Sequence, residues 1–226
     1  MSEKDDVWVN DILENKTKRE IVSFLIDTSM SMSIKKENTN KSRIDIVNER
    51  MPIFLDQMAN DIFIREGLSV SITTFGAKAK TIINFTNPSD AKNHYRKIVA
   101  NDSKTNLGEG AEKALREINE YINILQAGGI EYYHPILMII TDGDTTDPDK
   151  TRQIARKVQE DKHLKVICYN IGALTDKSKR TLELFAKDDS FIKNINDMNL
   201  SDVFTNLSRE LTVASQRQIE VDFKKL

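Results

Sequence analysis

Two short stretches of this 226-residue chain place small oxygen donors directly behind apolar runs. Asp27-Thr28-Ser29-Met30-Ser31 follows the run at 21–26, and Thr141-Asp142-Gly143-Asp144 follows the run at 135–140. In the first, a carboxylate and two alternate hydroxyls leave a strand end on one side of the backbone, because successive side chains of an extended chain alternate in direction. Hydroxyl and carboxylate oxygens are hard ligands. They suit Mg²⁺, Mn²⁺ or Ca²⁺, and the sequence offers no cysteine cluster or histidine pair for zinc.

The same aspartate permits a second chemistry. A carboxylate at the end of the first strand of an α/β sheet, working with Mg²⁺, is the nucleophile of phosphatases and the phosphoacceptor of receiver domains. Haloacid-dehalogenase-like phosphatases carry a second aspartate two positions on, where this chain has Ser29, and a receiver requires acidic residues before its phosphorylated strand. A Mg²⁺-dependent phosphatase or phosphoacceptor using Asp27 is therefore the alternative reading. No G-x-S-x-G or Walker loop occurs, and His94, His134 and His163 are far apart in sequence, as surface histidines would be.

Both stretches need a scaffold that brings strand ends together. Residues 21–26, 135–140 and 164–171 are aliphatic runs of the kind that form strands buried on both faces. Between them lie helix-period segments. Leu107, Ala111, Ala114, Leu115, Ile118, Tyr121, Ile122 and Leu125 form one stripe, and Ile44, Val47, Met51, Phe54, Leu55, Met58 and Ile62 form another, in which Pro52 should bend or interrupt the helix. Asp147-Pro148 reads as an N-cap with proline at the first helical position, and Leu200, Val203, Phe204, Leu207 and Leu211 mark a last helix. Residues 68–75 alternate in polarity, 76–78 supply a turn and 79–85 continue extended, which predicts an edge hairpin. The fold class is α/β, doubly wound: a mostly parallel central sheet with one antiparallel edge strand and helices on both faces. Ligands of such sheets bind outside the carboxyl ends of the strands, where 27–31 and 141–144 fall.

On these residues the chain resembles the von Willebrand factor A (VWA) family, whose metal-ion-dependent adhesion site combines D-x-S-x-S, a later threonine, and an aspartate after an apolar strand. Thr105 stands immediately before the strongest helix stripe, as the family's threonine does; an ordinary helix cap is the plainer account of it. The resemblance implies that Ser29 and Ser31 bind the ion directly and that Asp27 and Asp142 act mainly through bound waters. It makes Thr105 a third direct ligand in a high-affinity state. It also implies a non-enzymatic module in which the metal accepts an Asp or Glu from another protein. The pentapeptide alone is weak; its placement behind the first buried strand makes it specific. The resemblance spans residues 21–213, leaving a polar N-terminal segment at 1–20 and a polar tail at 214–226. A looser likeness is to small bacterial VWA proteins of tellurium and stress resistance, which implies kinases or phosphatases as partners.

Composition narrows the classes further. Thirty-three basic and 35 acidic residues give a net charge of −2 with no basic tract, so nothing points to nucleic acid. No apolar run approaches the roughly 20 residues that span a bilayer, so no membrane role is expected. Residues 1–10 carry Glu3, Asp5 and Asp6 in place of a basic and then apolar leader, which predicts a cytoplasmic protein. The single cysteine, Cys168, lies in an apolar run: no internal disulfide can form, and a buried small hydrophobe is expected. Three further pairs of residues have plainer readings. Gly108 and Gly110 are read as helix-packing contacts, Asp144 and Asp147 as cap and dipole partners, and Tyr132 and Tyr133 as either an interface rim or packing under a loop.

Overall fold

The computed structural model describes residues 17–35, 40–172, 174–195 and 200–217. Six strands make one sheet: β1 Glu20–Asp27, β2 Leu68–Phe75, β3 Lys80–Thr86, β4 Ile136–Thr141, β5 Lys165–Ile171 and β6 Ile192–Ile195. Their order is β3-β2-β1-β4-β5-β6. β1 pairs in parallel with both β2 and β4, whereas β3 runs antiparallel to β2 at the edge. Six α-helices lie among the described residues: α1 Arg43–Asn60, α2 Pro88–His94, α3 Leu107–Ala127, α4 Pro148–Glu160, α5 Asp176–Glu183 and α6 Leu200–Arg217. This is the expected α/β sheet with one antiparallel edge strand.

Strand alternation divides the core in two. Val22, Phe24 and Ile26 of β1 face α1 and α6, in one cluster with Phe54, Leu55, Leu207 and Leu211. Ile21 and Leu25 face α3, α4 and α5, in a second cluster with Ala114, Tyr121, Ile154 and Leu182. A strand covered on both sides has no polar face, which is why its sequence is a continuous aliphatic run. Cys168 is fully buried in the second cluster, and burial pushes its thiol up to about 12, so it behaves as a packed hydrophobe.

Two expectations are corrected. α1 is not interrupted at Pro52: it is one helix over Arg43–Asn60, begun by a reciprocal Ser42–Asp45 capping box and held by the buried stripe on either side of the proline. Ile62 falls beyond its end and is 68% exposed. The polar positions of β2 are not solvent-facing. Ser69 shares a 2.6 Å hydrogen bond with the Tyr121 hydroxyl, Ser71 donates to Ser23 at 2.9 Å, and Thr73 donates to Glu117 at 2.7 Å, so the face under α3 is buried and satisfied. Most of the polar N-terminal segment (1–16) and of the polar tail (218–226), together with 36–39, lies outside the described residues.

The glycine reading holds in atomic terms. A Cβ on Gly108 would lie 2.5 Å from the Thr151 amide nitrogen and 2.7 Å from the Lys150 carbonyl carbon, so α3 and α4 touch backbone to backbone. Gly110 instead admits a side chain: an added Cβ would lie 2.6 Å from the Phe75 Cβ. Helix propensity alone predicts that Gly108→Ala stabilises by about 1 kcal/mol. Because backbone cannot rotate aside, we expect overpacking to reverse the sign and destabilise by about 1–3 kcal/mol, read as a lower thermal midpoint. A midpoint at or above wild type would contradict this packing.

Candidate metal centre

The carboxyl ends of β1 and β4 are adjacent, and three loops are stitched together there. Asp27 ends β1 with its side chain fully buried. One carboxylate oxygen accepts from the Ser29 amide at 2.7 Å and the other from the Thr141 hydroxyl at 2.6 Å. The chain then turns into a 3-10 segment, Met30–Ser33, which sets the Ser29 and Ser31 hydroxyls 3.0 Å apart. Asp27 and Ser29 thus lie inside the fold, not outside the core as their position at a strand end suggested.

Thr105 arrives through its backbone. Asp102 forms a parallel bridge with Ser29, its amide donating to the Thr28 carbonyl at 3.1 Å and its carbonyl accepting from the Met30 amide at 2.8 Å. Its carboxylate also accepts from the Thr28 hydroxyl at 2.8 Å, in space that a Cβ on Gly76 would fill. On the other side, the Thr105 carbonyl accepts from the Thr146 amide at 2.9 Å and the Thr145 hydroxyl at 3.1 Å. The Thr105 loop is thereby fixed to the loops after both central strands. Among the described residues, however, the Thr105 hydroxyl is not hydrogen-bonded to Ser29 or Ser31.

Asp142 introduces a residue that the sequence reading missed. Its carboxylate accepts from the Arg43 guanidinium at 2.9 Å, and the same guanidinium nitrogen donates to the Ser31 carbonyl at 3.1 Å. The Arg43 and Asp142 side chains are only 20% and 13% exposed. Gly172, at φ +112°, makes room for Arg43: a Cβ there would stand 2.4 Å from the guanidinium. An internal cation therefore already links two of the three loops.

The donor set fits a hard divalent ion. Among the described residues no three histidine, cysteine or carboxylate side chains gather as a metal cluster; the oxygen groups at these two strand ends are the Ser29 and Ser31 hydroxyls, 3.0 Å apart, and the Asp27 and Asp142 carboxylates, with the Thr105 loop fixed beside them. Burial is the main cause that pushes the Asp27 carboxyl up to about 6; bonds from Thr141 and Ser29 oppose the rise and Asp142 adds repulsion. A bound cation would replace the proton that this environment favours.

A pH prediction follows with a definite sign. Without metal, native Asp27 keeps its proton to about pH 6, whereas the unfolded chain releases it near 3.8, so this group's contribution to stability falls as pH rises between those values. In EDTA, the stability of Asp27→Asn relative to wild type should rise by roughly 2–3 kcal/mol from pH 4 to pH 7.5. Thermal melts of both proteins at the two pH values test this, and a constant difference would exclude it.

The remaining residues fall outside the centre. Asp147 is an N-cap by position, yet its carboxylate accepts from Gly108 and Glu109 at 3.1 and 3.0 Å, capping the neighbouring α3. Asp144 is exposed and pairs with Lys177 at 3.1 Å. Tyr132 accepts from Gln126 at 2.9 Å and packs on the second core cluster, whereas the Tyr133 ring lies under the Lys18 ammonium. His134 and His163, separate in sequence, meet at 3.1 Å, but at the amino ends of β4 and β5. No described helix is long and apolar enough to cross a membrane.

Comparison with known proteins agrees with this fold. Residues 22–206 match the family profile of the von Willebrand factor type A domain. No curated protein matches. Among solved structures, proximal thread matrix protein 1 from the mussel byssus superposes with a TM-score of 0.61 at 15% identity, over 89% of this chain and 47% of that one. A further structure of that protein, at 14% identity and a TM-score of 0.61, has a zinc-occupied MIDAS motif and aligns over 89% of this chain and 47% of that one. The conserved hypothetical protein BatB from Bacteroides thetaiotaomicron gives 0.60 at 16% identity, over 88% of this chain and 99% of its own. The chain thus spans about half the mussel protein and nearly all of BatB, and at these identities the likeness is one of fold.

Proposed function

We propose that this chain, which belongs to the von Willebrand factor type A domain family, is a non-enzymatic binding module that holds a carboxylate of a partner protein through a divalent cation. Domains of this family are generally binding modules, typically metal-dependent. The observation that carries the reading is the pair of Ser29 and Ser31 hydroxyls, 3.0 Å apart, beside the buried Asp27 carboxylate at adjacent strand ends.

In this reading Ser29, Ser31 and Thr105 offer direct ligands, while Asp27 and Asp142 act through water. Mg²⁺ is the first choice, with Mn²⁺ or Ca²⁺ as alternatives. The zinc-occupied motif of the mussel byssus protein supports a divalent ion at this place in the fold. The bound ion would supply a positive centre for an anionic oxygen; the chain's own groups hold the loops in register, with Asp27 fixed by the Ser29 amide and the Thr141 hydroxyl. The looser resemblance extends the proposal to a cytoplasmic stress-response role, including tellurium resistance, with a kinase or phosphatase as partner.

The nucleophile alternative has less support. Ser29 stands where phosphatases of that kind carry a second aspartate, and both Asp27 oxygens are already engaged by the Ser29 amide and the Thr141 hydroxyl. Copurification in Mg²⁺ and in EDTA tests the proposal. A partner retained only with metal, and lost with Asp27→Asn, is the expected result; Mg²⁺-dependent phosphate-ester turnover abolished by that substitution would overturn it.

A further inference from the structure

The net charge of −2 conceals a local concentration of cations next to the candidate metal loops. A groove of about 680 Å³ is lined by Thr28 and Asp102, which belong to those loops, and by Lys78, Lys80, Arg96 and Lys97. One wall is the turn after β2 together with β3; the other is the extended segment that follows α2. His94 also lines it, and Asp102 is the one carboxylate among the lining residues.

These cations are available. Among the described residues no ion pair engages Lys78, Lys80 or Arg96, and the Arg96 guanidinium donates instead to the carbonyls of Asn93 and Tyr95. Lys97 reaches Asp45 at 3.5 Å with its side chain 73% exposed. Four like charges around one concavity raise the local concentration of anions and stay mutually repulsive until an anion is bound.

We propose that this groove seats an acidic peptide segment of the partner, whose flanking carboxylates meet these cations while another reaches the metal. The proposal rests on the metal–carboxylate reading above and extends it from one acidic residue to the sequence around it. Two features favour a peptide over a nucleic acid. The lining contains no phenylalanine, tyrosine or tryptophan on which bases could stack. It does contain Ile82, Ile98 and Val99, the last 64% exposed, which suit aliphatic side chains between the acidic ones.

The test is fluorescence anisotropy on the full chain in Mg²⁺, with labelled octaglutamate as probe and octaglutamine and an eight-nucleotide oligothymidine as comparators. Octaglutamate should bind more tightly than either comparator, with an affinity that falls as salt rises. Lys80→Glu combined with Arg96→Glu, two exposed positions on opposite walls, should weaken octaglutamate binding by about tenfold or more and flatten the salt dependence, with the thermal melt retained. Unchanged affinity in this variant, no binding by wild type, or oligothymidine binding as tightly as octaglutamate would each overturn the groove assignment. Asp27→Asn separates the two ideas. Loss of the Mg²⁺ dependence, with the Lys80/Arg96 effect preserved in that background, supports both. Mg²⁺-independent binding in wild type that still requires Lys80 and Arg96 sinks the metal reading and leaves the groove assigned to acidic peptides.

Discussion

Ser29→Ala is expected to lower Mg²⁺ affinity by more than about a hundredfold while leaving a cooperative melt close to that of wild type. The Ser29 hydroxyl shares a 3.0 Å hydrogen bond with Ser31 and also interacts with the Asp27 carboxylate, so its loss should cost about 1–2 kcal/mol of stability. Asp27→Asn should lose metal binding as well but behave differently toward the fold. It removes a buried charge and leaves the Ser29 amide and the Thr141 hydroxyl with one amide oxygen between them as acceptor. Partner capture should vanish in both variants, because an acidic partner would then face Asp27 or Asp142 without the cation that reverses their repulsion. Capture that survives both substitutions, or is lost only where the melt is lost, would show that these residues hold the fold and nothing more.

The second large effect concerns Arg43. Its guanidinium already neutralises Asp142 and ties it to the Ser31 carbonyl, so it competes electrostatically with any second cation entering the same loops. Arg43→Gln should therefore act in two opposite directions. In EDTA it should destabilise by about 1–3 kcal/mol, since a mostly buried carboxylate loses its partner. In a Mg²⁺ titration it should bind about tenfold more tightly, since the ion no longer meets a fixed positive charge. Unchanged or weaker Mg²⁺ binding with the same loss of stability would reduce Arg43 to a scaffold residue.

What could be read in the sequence divides along physical lines. β1, β4 and β5 were legible because strands covered on both faces must be apolar throughout, and α3 because its stripe is long and regular. β6, Ile192–Ile195, was not: it is four residues long and contains Lys193 and Asn194. α5 was missed because Leu182 is its only large buried apolar residue and its start is set by a Thr175–Ser178 capping box. The two donor loops were legible because their residue types state their chemistry. Asp102 was not legible: it bonds to Thr28 across 74 residues, and only the crossing of loops creates that contact. Arg43 left one faint trace, a cation in the first turn of α1, where the helix dipole disfavours positive charge. Such a local conflict signals a distant partner, and here it is Asp142, 99 residues away.

The central claim is that these loops bind a divalent cation, and calorimetric titration of Mg²⁺ into the folded wild-type chain at pH 7.5 tests it most directly. The account predicts saturable binding at one site, abolished by Ser29→Ala and weakened below about pH 6 as the Asp27 proton competes with the ion. Folded protein that binds none of Mg²⁺, Mn²⁺ or Ca²⁺, or that binds them equally well without Ser29, would contradict it.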